Sequence, residues 1–113
     1  NYIEVTPEVI SWEEALNYIG QTKAVEGVVV SAKYASTSKG RPTFLNIGKP
    51  YPEPGRFTAL IWGTDRGKFE LEFPPNPETY FLNKRVQVTG LIEEYRGDAE
   101  IILTDPSRIK VVK

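Results

Sequence analysis

The feature that most constrains this chain is the run Lys23 to Tyr34 (KAVEGVVVSAKY), which is rich in β-branched residues and interrupted only at Gly27. Such a run favours an extended strand. A glycine inside a strand weakens it unless the backbone has to bend or bulge there. A second long run, Arg85 to Tyr95 (RVQVTGLIEEY), is interrupted the same way at Gly90. Long strands carrying one internal glycine belong where a small barrel coils most sharply.

Three shorter runs complete the β pattern: Thr43–Gly48 (TFLNIG), Phe57–Trp62 (FTALIW) and Ala99–Leu103 (AEIIL). Arg96-Gly97-Asp98 joins the last two strands as a tight hairpin turn. Ile109–Val112 offers a further short strand. Ahead of the first strand, Ser11 followed three residues later by Glu14 fits a capping box, and Trp12, Ala15, Leu16 and Ile19 follow at helical spacing up to Gly20. The reading is one short helix at 11–19. Thr64–Phe73 reads either as a helix capped by Thr64 or Asp65, with Phe69 and Phe73 four apart, or as an alternating strand. The expectation is a short helix, then an irregular loop that packs Tyr80, Phe81 and Leu82 inward. Five strands, the first long and glycine-kinked, with a long excursion between the third and fourth, outline an OB-fold. The expected architecture is all-β with one short N-terminal helix, a five-stranded Greek-key barrel. It forms a single domain over 1–113, with a helical extension at 1–20 and the barrel at 21–113.

Composition narrows the chemistry. Hydrophobic residues make up 40% and charged residues 26% of 113 residues, ordinary for a globular domain. Cysteine and histidine are absent. Disulfides, Cys/His zinc sites, thiol nucleophiles and histidine-based triads are therefore excluded. Methionine is also absent, so the chain reads as a mature product after signal removal, which would place it outside the cytoplasm, or as a domain cut from a longer protein. No apolar run approaches the ~20 residues of a membrane-spanning helix.

The net charge of −1 hides an asymmetry. Residues 31–68 carry seven bases against two acids, while the flanking segments are net acidic. A basic middle points to a local anion-attracting region, unless it is a mixed, solvated surface.

The chain resembles the OB-fold nucleic-acid-binding domains of prokaryotes, including those that accompany secreted nucleases and those called tRNA-anticodon-binding-like. The resemblance rests on Val25-Glu26-Gly27-Val28-Val29, Thr43–Gly48, Phe57–Trp62, Val86-Gln87-Val88-Thr89-Gly90-Leu91-Ile92, Tyr95-Arg96-Gly97 and Glu100-Ile101-Ile102-Leu103. It implies binding of single-stranded DNA or RNA across the second and third strands, flanked by the 1–2 and 4–5 loops. It also implies a nuclease or other domain of a parent protein as a partner. The Asp, Glu and Arg set of thermonuclease-type enzymes cannot be placed on this sequence, so no nuclease activity is carried over.

A sequence-tolerant single-strand site needs cations for phosphates and aromatic faces for bases. The 1–2 loop offers Lys33, Tyr34, Lys39 and Arg41; the second strand Phe44 and Asn46; the third Trp62; and the 4–5 hairpin Tyr95 and Arg96. Alternation assigns Leu45 and Ile47 to the core, but leaves open whether Phe57, Ala59 and Ile61 or Thr58, Leu60 and Trp62 face inward. Phe44 and Trp62 serve equally well as core fillers, Tyr34 and Tyr95 as covers of the barrel ends, and Tyr51 either stacks on a ligand or is held against the barrel by its prolines. Glu93, Glu94, Asp98 and Glu100 are the one acidic cluster, with no EF-hand spacing. Arg96-Gly97-Asp98 matches an adhesion tripeptide and reads as a turn. The expectation is a non-catalytic nucleic-acid-binding module with no metal and no cofactor. A protein-interaction adaptor is the alternative, and a metal-dependent phosphodiesterase the third reading.

Overall fold

The computed structural model describes residues 7–113, so the first six residues of the expected extension lie outside the described residues. The chain forms β1 (Val9–Ser11), a 3₁₀ helix (Trp12–Tyr18), β2 (Thr22–Tyr34), β3 (Thr43–Ile47) and β4 (Phe57–Ile61). It continues with α1 (Gly63–Glu72), α2 (Pro77–Tyr80), β5 (Arg85–Leu91), β6 (Glu93–Tyr95), β7 (Asp98–Ile102), a 3₁₀ turn (Pro106–Arg108) and β8 (Ile109–Val111).

All five expected strands are present, but among the described residues the count is eight. The further short strand offered at 109–112 forms as β8, β1 is an addition, and the fourth strand splits at Ile92. There the backbone turns aside: Ile92 N–H donates to Gln21 O at 2.9 Å, and Ile92 O accepts from Gly20 N–H at 2.8 Å.

The ladder runs β6-β7-β4-β3-β2-β5-β8, with β1 added beside β2. It is open, ending at β6 and β8. Its two halves nonetheless meet, because only Ile92 separates β5 from β6 and because a Cβ at Gly90 would lie 2.7 Å from Ile101 Cγ2. β2 serves both halves. Thr22–Val28 pairs with β5 and Val29–Tyr34 with β3, with a register shift between Val29 and Ser31 at the change of partner. β4 and β7 pair in parallel, because the chain adds β5 beside β2 before it returns. The result is a mostly β, OB-like fold.

Alternation places the core. Val25, Val29, Leu45, Val86, Val88, Ile92 and Ile101 are fully buried, as the strand patterns require. The register Leu45↔Ala59 and Ile47↔Phe57 settles the face of β4. Phe57, Ala59 and Ile61 join the core cluster. Thr58, Leu60 and Trp62 turn to the opposite face.

The N-terminal segment plugs one end of this core. The capping box forms, with Ser11 N–H donating to Glu14 Oε1 at 3.3 Å and Ser11 Oγ accepting from Glu13 N–H at 3.4 Å. The helix is 3₁₀, not α. Its three-residue repeat aligns Trp12, Ala15 and Tyr18 on the core side and leaves Leu16 and Ile19 exposed. Trp12 fits because two glycines lie beneath it. A Cβ at Gly48 would lie 2.2 Å from Trp12 Cδ2, and one at Gly27 would lie 2.7 Å from Trp12 Cδ1 and 2.5 Å from Ile47 Cγ2.

Between β4 and β5 the expected helix forms as α1, and a second helix, α2, takes the place of part of the expected irregular loop, but neither Thr64 nor Asp65 caps α1. Trp62 occupies that position without a side-chain bond. The helix start is set by docking instead: Gly63 N–H donates to Gly40 O at 2.9 Å. Phe73 packs against Tyr80 and Phe81, with ring centroids 5.2 and 4.6 Å away. Phe81 is fully buried, whereas Leu82, expected inside, is exposed. Asn76 ends the preceding loop by capping α2 through Thr79 N–H at 2.9 Å, which turns the chain before residue 82 can reach the core. Among the described residues no helix is long and apolar enough to cross a membrane.

The seat of Trp12 can be tested. Gly27→Ala is expected to cost about 1–3 kcal/mol of unfolding free energy by overpacking. In a urea-unfolding double-mutant cycle with Trp12→Ala, the two costs should be less than additive. Strict additivity would show that Gly27 makes no room for Trp12.

Candidate nucleic-acid interface

The outward faces of β3, β4 and β7, with the end of β2, form the floor of a groove of about 710 Å³. The floor is polar along one line. Asn46 Nδ2 donates to Ser31 Oγ at 3.0 Å, and Thr58 Oγ1 donates to Asn46 Oδ1 at 3.2 Å, linking β2, β3 and β4. Phe44, Leu60 and Trp62 continue the floor as apolar surface.

Two loops and a hairpin make the walls. Trp62, 39% exposed, rests one ring face on the loop between β2 and β3, because Gly40 has no side chain: a Cβ there would lie 2.9 Å from the indole. The loop at 49–56 is fastened at both ends. Tyr51 N–H donates to Ser31 Oγ at 3.3 Å, and Gly55 N–H donates to Asp98 Oδ1 at 2.8 Å. Between these anchors the Tyr51 ring stands 70% exposed, with the Arg56 guanidinium 5.1 Å from its centroid. Arg56 pairs with Asp98 at 3.5 Å and donates to Glu53 O at 2.9 Å, while its buried Nε has no partner. Opposite, β6 and β7 are joined by Arg96-Gly97, both in the left-handed region (φ 52° and 87°). Two such residues make the hairpin turn that matches strand twist. An arginine there, and again at Arg41 (φ 45°), is strained.

Of the nine residues singled out from sequence, Lys33, Lys39, Phe44, Asn46, Trp62, Tyr95 and Arg96 line this groove. Asn46 is buried, with both ends of its amide engaged, so it shapes the floor. Tyr34 and Arg41 lie outside the lining. Tyr34 covers the Arg66 guanidinium, 3.6 Å from its ring centroid. Arg66 is itself buried and donates to Thr43 Oγ1 at 2.7 Å, to both Glu78 oxygens at 2.9 and 3.0 Å and to Glu70 Oε2 at 3.0 Å. Burial works against its charge, but Glu78 and Glu70 outweigh that and hold its pKa above the ordinary arginine value. The basic middle segment is therefore divided. Lys33, Lys39 and Arg56 face the groove, Arg66 ties α1 and α2 to β3, and Lys68 pairs with Asp65 at 3.2 Å.

Sequence reasoning missed Arg56 and Glu100 as groove residues, and left Tyr51 open between a ligand-facing place and one held against the barrel; its ring is exposed and lines the groove. The signal for Arg56 was its place one residue before β4. For Glu100 it was the outward alternation of β7, which pairs Thr58 with Glu100. The acidic cluster is dispersed: Glu93 opposes Glu100, Glu94 opposes Ala99 on the other face, and Asp98 is engaged by Gly55 and Arg56. Among the described residues no three carboxylates gather in metal-binding geometry. Burial, then the charge of Glu93, pushes the Glu100 carboxyl above its usual range.

No protein-family model matches the chain, and no curated protein is similar to it in sequence. Solved structures share its fold. Aspartyl tRNA synthetase from Entamoeba histolytica matches with 18% identity over 95% of this chain and 21% of that one, at a TM-score of 0.58. Yeast Stn1 and Ten1 match with 12% identity over 96% of this chain and 64% of that one, at 0.59. OBody AM1L10, bound to hen egg-white lysozyme, matches with 18% identity over 97% of this chain and 99% of that one, at 0.59. At such identities the likeness is one of fold. The chain spans about a fifth of the synthetase's length.

The raised pKa of Glu100 has a stability consequence. Its charged form is disfavoured in the folded chain, so its contribution to stability is lost as pH rises from the ordinary carboxylate value through the raised one. Glu100→Gln should therefore raise the melting temperature at pH 7, and the gain should vanish below the ordinary glutamate range, where both side chains are neutral. Thermal melts across that interval measure this. A gain independent of pH would refute the electrostatic account.

Proposed function

We propose that the chain is a non-catalytic module that binds single-stranded DNA or RNA along this groove. Lys33, Lys39, Arg56 and Arg96 neutralise phosphates, and bases stack on Tyr51, Trp62, Tyr95 and Phe44. The observation that carries this reading is the convergence of four cations and four aromatic rings on one groove. Cations tracking a backbone and rings accepting any base are what single-strand sites use. The strained backbone at Arg96 supports it, because such strain persists where a side chain has to be presented at a fixed place. The shared fold with a tRNA synthetase and with Stn1 and Ten1 is in keeping with it. Closure of the eight strands into a five-stranded barrel equivalent belongs to the same reading.

A protein-binding adaptor is the second reading. It is favoured by the net charge of −1, which limits counterion-driven affinity, and by the fold shared with a protein bound to lysozyme. Single strands with Mg²⁺ or Ca²⁺ should stay intact with this chain; metal-dependent cleavage lost on Asp98→Ala would favour the phosphodiesterase instead.

Fluorescence anisotropy with a labelled thymine dodecamer, and its uracil RNA counterpart, separates these readings. Affinity should fall with salt with a log–log slope of about −2 to −3, from roughly −0.7 per phosphate contacted. Lys33→Ala or Lys39→Ala should flatten the slope by somewhat under one unit. Tyr51→Ala should cost about 1–3 kcal/mol of binding and leave the slope nearly unchanged. No binding at low salt would transfer the assignment to the adaptor.

Arg96→Asn gives a sharper expectation. Asparagine tolerates the left-handed region, so stability should rise by up to about 1 kcal/mol while single-strand affinity falls. Loss of both together would mean that Arg96 is needed for the fold.

A further inference from the structure

Within the groove, Glu100 does not fit a surface built only for phosphate. It sits on the outward face of β7, opposite Thr58 on one side and Glu93 on the other. It lines the groove and is half-buried. Among the described residues no side chain donates a hydrogen bond to it and no cation pairs with it. The other groove carboxylate, Asp98, is held by Arg56 and by Gly55 N–H. A free, half-buried carboxylate beside bound phosphates repels them. Its chemistry calls for a neutral donor supplied by the ligand.

The neighbouring ring indicates which part of the ligand supplies it. Tyr95 pairs across the hairpin with Asp98, so Glu100, two residues on, is its diagonal neighbour on the same face. Such neighbours lie about 7–8 Å apart, within reach of a long side chain. A base stacked on Tyr95 therefore has its edge beside Glu100. Thymine and uracil offer one N–H between two carbonyl oxygens, which a carboxylate repels. Cytosine offers one amino donor next to an acceptor nitrogen. Guanine offers N1–H and the 2-amino N–H side by side, matching the two oxygens of a carboxylate.

We propose that Glu100 makes one position of this groove selective, preferring guanine in a strand otherwise bound without regard to sequence. This rests on the single-strand reading above. The selectivity comes from two charge-assisted hydrogen bonds to the Watson–Crick edge of a base held on Tyr95.

The test compares three labelled dodecamers by anisotropy: thymine throughout, thymine with guanine at every third position, and the same strand with hypoxanthine replacing guanine. Hypoxanthine lacks only the 2-amino group. The intact chain should bind the guanine strand about fivefold or more tighter than the hypoxanthine strand, since a good bidentate base contact discriminates by ~1 kcal/mol or more. Glu100→Gln should abolish that difference and bind the thymine strand more tightly than the unaltered chain does, because a negative charge has left the phosphate groove. A folding defect would weaken all three strands and cannot produce this pattern. Equal binding of the three strands by the unaltered chain would overturn the inference and leave the single-strand reading standing. A guanine preference that survives Glu100→Gln would also overturn it. If the thymine strand does not bind at low salt, the single-strand reading falls, and this inference with it.

Discussion

β2 carries the fold because it exchanges partners in mid-strand. Its first half completes a ladder with β5 and its second half one with β3. A straight strand would leave one of those neighbours without hydrogen-bonding groups in the right direction, and buried backbone left unpaired is costly. The register shift near Val30 turns the strand toward β3. Gly27, just before it, gives the space in which Ile47 and Trp12 approach the bend. Both the plugged end of the core and the open groove follow from that turn. It brings β3 and β4 around so that one face of each packs into the core and the other floors the groove.

The strands were legible because alternation and β-branching act locally. Leu45 and Ile47 could be assigned inward from their own neighbourhood, as could Val25, Val86 and Val88. What the sequence left open were facts of pairing. The inward set on β4 depends on the register with β3, which no single strand encodes. The N-terminal helix showed its cap but not its pitch, and pitch turned Tyr18 rather than Leu16 toward the core. Thr64 and Asp65 looked like caps because nothing local announces that Gly63 will dock on the carbonyl of Gly40.

The candidate site was legible in its cations and less so in its carboxylates. Sequence proximity grouped Arg66 with Lys33 and Lys39, yet Arg66 is buried under Tyr34 between two glutamates. An arginine fork that is buried and spends four of its five N–H donors on Glu78, Glu70 and Thr43 is not free to meet a phosphate, and Tyr34 leaves the site with it. Arg56 and Glu100 enter through the third dimension. Arg56 is drawn in by Asp98 from a distant hairpin, and Glu100 is presented by the parallel pairing of β7 with β4. Charge counts along a chain therefore overstate a site wherever some of the charge holds helices in place.

On β4 the residues that hold the molecule together and those that face the groove are interleaved one by one. Phe57, Ala59 and Ile61 belong to the core, and Thr58, Leu60 and Trp62 to the groove. The two sets share a backbone and point to opposite faces of the strand. Substitutions in one can therefore accumulate without being vetoed by the other. One architecture can therefore be written in very different sequences, and chains with fewer than one residue in five in common still superpose. In such a scaffold the inward-facing residues keep the shape, and the outward ones are left to choose the company.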